Sequence, residues 1–120
     1  MILLAALRSA LFLLWMLVTV VPVATAVVLA SIFIKGTPLY WMCVFWLRLV
    51  IWGARVICGV RHRVQGMDNL PTAQEGLRAV LLASKHQSTW ETFAYPVLMS
   101  HPLCYVFKKE LLLIPFFGWA

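Results

Sequence analysis

From Ser9 to Ile34 the chain runs for 26 residues without a charged side chain, and no other feature limits the possible folds so tightly. About 20 apolar residues in a helix cross a hydrocarbon core. The segment is therefore long enough to span a bilayer, to lie in its interface or to bend back within it. Pro22 falls inside it and removes one backbone hydrogen bond, a defect that membrane helices accommodate as a kink. A secretory leader cut after the small residues Ala24, Thr25 and Ala26 would leave Val27 first in the mature chain. Against that reading, the apolar character continues to Ile34, and the basic residues Lys35, Arg48, Arg55, Arg61 and Arg63 follow, a flank that normally stays cytoplasmic. With 63% hydrophobic and 12% charged residues, the chain lies outside the range of soluble domains, and a membrane-associated protein is expected.

Ten Lys and Arg against four Asp and Glu give a formal net charge of +6, which suits either nucleic acid or anionic lipid. Within YWMCVFWLRLVIWGARVICGV, Arg48 and Arg55 are seven apart and share a helix face, with Trp41, Trp46 and Trp52 around them. Tryptophan beside arginine is an interfacial pattern, whereas a nucleic-acid groove shows denser basic residues among polar ones. Lipid is the expected partner and nucleic acid is not. The same segment also reads as a second buried helix with two snorkelling arginines. Cys43, Cys58 and Cys104 are odd in number and far apart, with no C-x-x-C pair, so no disulfide or metal site is implied. They suit a reducing compartment, as small apolar fillers.

Two seams divide the chain. Lys35, Gly36, Thr37 and Pro38 form a turn with proline set to open a helix, so residues 1–59 read as a membrane-anchoring pair of apolar helices. Residues 60–120 form the second unit, interrupted by the polar loop from Asn69 to Gly76. There, Val60 to Gln65 alternates as a short strand, Ala79 to Ala83 and Leu103 to Phe107 are apolar runs of buried-strand length, and Thr92 to Met99 fits a helix. Leu111 to Phe117 is a further apolar element. The order strand, helix, strand predicts an α/β class with a parallel sheet. Ligand groups collect beyond the carboxyl ends of such strands, which is where SKHQSTWE (84–91) and Lys108, Lys109 and Glu110 fall.

Within SKHQSTWE, Ser88 and Glu91 have the spacing of a capping box, in which each satisfies an otherwise free amide at the start of a helix. His86 stands two residues before that cap. On one continuous helix, positions 86 and 91 would point about 140° apart. A break between loop and helix removes the objection. Glu91 then orients one ring nitrogen of His86 while the other takes a proton from a substrate hydroxyl, as in acyl transfer. Ser88 keeps a covalent route formally open.

These residues resemble the glycerolipid acyltransferase family, and most closely its bacterial 1-acylglycerol-3-phosphate O-acyltransferases. The family signature is a histidine followed five positions on by an acid, usually aspartate; KHQSTWET supplies His86 and the longer Glu91. Val64 to Pro71 (VQGMDNLP) is similar to the family's lead-in to its first catalytic strand. Phe107 to Leu111 (FKKEL) and Ile114 to Gly118 (IPFFG) are similar to its second block. The resemblance covers most of Val60 to Ala120. It implies transfer of a fatty acyl group from an acyl-coenzyme A or acyl-carrier-protein thioester to the free hydroxyl of lysophosphatidic acid, making phosphatidic acid at a bacterial inner membrane, on the cytoplasmic side. His86 would be the general base, Glu91 its partner and Lys108 a contact for the substrate phosphate, with no cofactor or metal. The family's later Glu-Gly-Thr-Arg block has no counterpart here, so the chain is expected to be the N-terminal part of such an enzyme or a truncated gene product, with an incomplete sheet and site.

A noncatalytic small membrane protein that binds anionic lipid through the Arg48 and Arg55 helix is the competing expectation. Either reading requires apolar attachment. The protein should pellet with membranes and remain there through a high-salt wash; release by salt alone would show that charge holds it instead.

Overall fold

The computed structural model describes residues 2–69, 81–85, 87–106 and 109–113, and its regular structure is helical. Helix α1 runs Ile2–Ser31, α2 runs Thr37–Gly53 and α3 runs Thr89–Leu98. Between α1 and α2 the chain reverses as expected. Ile34 donates to Ala30 C=O at 2.7 Å, Gly36 takes the positive φ of 79°, and Pro38 stands in the first turn of α2, where a missing N–H costs nothing. Pro22 lies within α1, which continues through it. Both α1 and the stretch Thr37–Cys58 are long and apolar enough to cross a membrane.

α1 and α2 pack as an antiparallel hairpin, and the seam is held by side-chain polar groups as well as by apolar contact. The inward positions of α1 are Phe12, Trp15, Met16, Thr19, Val20, Val23, Val27 and Ala30, three or four apart as one helix face requires. Its other face leaves Leu7, Leu11, Leu14, Leu17, Val18 and Val21 exposed, a stripe that suits lipid and not water. At the seam the Trp15 indole N–H donates to Leu49 C=O at 3.0 Å, and the Trp46 indole N–H donates to Thr19 Oγ1 at 3.2 Å. Thr19 in turn donates to Trp15 C=O at 2.8 Å. Gly53 is buried under the Trp15 ring, where a Cβ would meet the indole Cδ1 and Nε1, so only glycine permits this approach. Beyond Gly53 the helix widens to one π turn, Ala54–Cys58, closed by Gly59 at φ 73°. Cys58 Sγ donates to Arg8 C=O at 3.8 Å and so brings the outer ends of the hairpin together. The thiols do not serve as core fillers: Cys43 and Cys104 are exposed and Cys58 is half-buried.

α2 lies between α1 and α3 and supplies the largest fully buried side chains, Val44 and Val50, at 1% and 2% exposure. α3 presents Ala94 and Pro96 to the core and sets Phe93 edge-on to Trp46, ring centres 6.2 Å apart. Pro96 has no N–H, so in the helix the carbonyl of Thr92 loses its usual donor. The Tyr105 hydroxyl fills the gap, donating to Thr92 C=O at 2.9 Å. Burial first, then the nearby Tyr40 and Tyr95, raises the pKa of this phenol, so it stays a donor at neutral pH. Two residues earlier, Leu103 N–H donates to the Tyr40 hydroxyl on α2 at 3.1 Å.

The parallel sheet expected of an α/β domain is not present among the described residues. Val60–Gln65 is irregular and exposed, and the described parts of the other two expected strands, residues 81–83 and 103–106, carry no ladder. Ala79, Val80 and Phe107 lie outside the described residues. Alternation and apolar runs mark segments able to be strands, but a strand exists only when a neighbour takes its N–H and C=O groups. Leu103 N–H is instead taken by a tyrosine. Lys109–Leu113 forms a short 3-10 turn where the apolar element from Leu111 was expected, and residues 114–120 lie outside the described set.

The Tyr105 bond has a clean test. Tyr105→Phe should cost about 0.5 to 1.5 kcal/mol by removing this exposed bond to the Thr92 carbonyl, read by thermal unfolding in detergent micelles. In a Pro96→Ala background, where residue 96 regains its N–H, the same substitution should be nearly neutral. Equal losses in both backgrounds would mean that the hydroxyl acts elsewhere.

Candidate active site

The start of α3 is built by its sequence. Ser88 is extended (φ −153°, ψ 164°) and caps the helix, and Thr89 is the first helical residue, three positions ahead of the expected Thr92. The reason is the capping box: Glu91 folds back, and its Oε2 accepts from both Gln87 N–H and Ser88 N–H at 2.9 Å. A negative carboxylate at a helix N-terminus also gains from the helix dipole. Glu91 is half-buried and held by two main-chain donors. Gln87 N–H is the next amide along the chain from His86, so covalent connectivity alone keeps the carboxylate close to that stretch.

Of the candidate residues, Glu91 is within the described structure, whereas His86 and Lys108 lie outside the described residues. Lys85, Gln87 and Lys109, their described neighbours, are exposed. The capping expectation for Glu91 is met in full.

One contact at this helix end was not expected. The His62 ring lies 4.9 Å from the Trp90 ring, tilted by 52°, so the irregular stretch after the π turn runs beside the first turn of α3. Alternation placed His62 on a face with Val60 and Val64, and nothing in the spacing pointed to Trp90, 28 residues on. The Tyr105 bond had a signal available: a proline at 96, inside the predicted helix, four residues after Thr92, announces a carbonyl in need of a donor. No group of three or more His, Cys, Asp or Glu placed to hold a metal ion occurs among the described residues.

A fixed anionic acceptor at a helix mouth, flanked by exposed polar residues and backed by two apolar helices long enough to cross a membrane, suits a base-assisted reaction on an amphipathic substrate. No family model and no solved structure matches the chain. A 1-acyl-sn-glycerol-3-phosphate acyltransferase from Pseudomonas aeruginosa is 47% identical to it over 75 residues, 62% of this chain. The chain spans only part of that relative, the match covering 27% of its length. The resemblance carried by the His86, Glu91 and FKKEL motifs is thus met by a curated protein with that acyltransferase name, over part of its length.

Proposed function

We propose that this chain is part of a membrane-bound acyltransferase that moves a fatty acyl group from a thioester donor, acyl-coenzyme A or acyl-carrier protein, to the free hydroxyl of lysophosphatidic acid. The observation that carries this reading is the 47% identity to a protein named for that reaction type, together with the Glu91 carboxylate fixed at the helix mouth of the His86 motif.

In this reading His86 accepts the proton of the acceptor hydroxyl as the oxygen attacks the thioester carbonyl. The tetrahedral intermediate collapses, the carbon–sulfur bond breaks, and the departing thiolate takes the proton back from the imidazolium. The negative charge of Glu91, held at the helix mouth by the cap, whose Gln87 N–H is the next amide along the chain from His86, stabilises the charged form of the imidazole. Lys108 pairs with the phosphate of the acceptor. The catalytic unit in this reading runs from residue 60 onward.

The hairpin of residues 1–59 holds that unit at the bilayer where the acceptor resides. Arg8 and Arg55 fall toward the Cys58 end of the hairpin and Lys35 at its turn, and the more basic end is the cytoplasmic one. The reaction therefore runs on the cytoplasmic face of a bacterial inner membrane.

Acyl transfer to lysophosphatidic acid, measured on membranes containing the full-length protein, separates the roles. His86→Ala should abolish nearly all turnover with membrane attachment unchanged, and normal turnover would remove the base from the mechanism. Glu91→Gln should cost less than about 1 kcal/mol of stability, because glutamine also serves the cap, yet slow turnover by about a hundredfold or more if the charge supports the imidazolium. Glu91→Asp, one methylene shorter, should be partly active. A stable Gln variant with ordinary turnover would leave Glu91 only its cap.

Lys108→Ala should raise KM for a phosphate-bearing acceptor by about tenfold or more while changing use of an acceptor without phosphate far less. An equal loss on both acceptors would indicate a folding defect.

A further inference from the structure

Acyl transfer leaves one exposed feature of the hairpin without a role. Phe45, Arg48, Trp52 and Arg55 follow one another at three- and four-residue spacing along α2 and into the π turn, and all four are exposed, Phe45 at 55% and Trp52 at 53%. Arginine thus alternates with an aromatic ring on the outer side of α2, while the inner positions Val44, Val50 and Gly53 face the core. Neither arginine has an ion-pair partner among the described residues, and no Asp or Glu precedes Asp68 anywhere in the sequence. Arg8, Lys35, Arg48, Arg55, Arg61 and Arg63 therefore share a 67-residue stretch that contains no carboxylate. Their counter-charge has to come from outside that stretch.

We propose that this stripe binds the phosphates of anionic phospholipids at the bilayer surface, Arg48 and Arg55 each engaging one headgroup while Phe45 and Trp52 enter the acyl-chain boundary. An unpaired arginine on a lipid-facing helix costs several kcal/mol at the bilayer centre, a penalty that vanishes when the guanidinium reaches a phosphate. Guanidinium binds phosphate through two parallel N–H donors, and tryptophan favours the same interfacial depth. Seven residues of helix put the two arginines about 10 Å apart along the axis, so Arg55 lies at the headgroups and Arg48 reaches its phosphate by extending its side chain toward them. The exposed aromatic rings between the charges select a lipid surface over a soluble polyanion. The inference rests on the membrane placement proposed above and is independent of acyl transfer.

The test uses the purified full chain in mixed micelles of phosphatidylcholine and phosphatidylglycerol, with native mass spectrometry counting the lipids retained. The unaltered protein should retain phosphatidylglycerol in preference, by about fivefold per arginine. Arg48→Gln with Arg55→Gln should bring the two lipids to parity with helix content by circular dichroism unchanged, and Arg48→Lys with Arg55→Lys should keep most of the preference. No preference in the unaltered protein, or one that survives the double glutamine change, would overturn the proposal. So would a dimer lost in that variant, since the stripe would then face a second copy of the chain. Salt extraction of membranes distinguishes the underlying premise: release there means that the placement has failed, whereas retention without lipid preference means that only the stripe has.

Discussion

An apolar hairpin has few places to put a polar hydrogen, and the arrangement of α1 against α2 follows from that constraint. Trp15 and Trp46 each bring an indole N–H into the seam, and each finds an acceptor on the opposite helix, Leu49 C=O and Thr19 Oγ1. The two bonds run in opposite directions between the helices and fix both the register and the spin of α1 on α2. In lipid, where water cannot replace a lost partner, an alternative register would strand two donors. Gly53 supplies the other half of the fit, because the Trp15 ring lies where any side chain would be.

α2 is consequently more than an anchor. Its one side receives α1 and another receives α3, through Trp46 against Phe93 and through the buried Ala94 and Pro96. Trp46 takes part in both contacts, bonding Thr19 and meeting Phe93. The helix that carries Glu91 at its mouth is therefore packed directly on α2, an apolar helix long enough with its π turn to cross a membrane.

What could be read from the sequence was local. The uncharged run, the proline after Gly36 and the Ser88 to Glu91 spacing each act within a few residues, and each appears where expected. The hairpin seam joins residues 34 and 27 apart, and Tyr105 reaches Thr92 across 13. Such pairings depend on how the helices cross, which no short window of sequence encodes. The sheet was inferred from apolar runs whose pairing partners are likewise remote, and the described parts of those runs are unpaired. Of the site, Glu91 was legible because its cap is a local motif; its relation to His86 and Lys108 rests on resemblance.

The two tyrosine hydroxyls have a mechanical consequence. Leu103 N–H is bound to Tyr40 on α2, and Tyr105, two residues on, is bound to the main chain of α3. One anchor is a main-chain N–H and the other a side-chain hydroxyl, and together they hold the strip at two points, like rivets. The chain leaving Val106 toward the basic pair at 108 and 109 thus departs from a fixed point tied to both helices. A hinge between the anchor and this segment would have to break both phenol bonds before it could open.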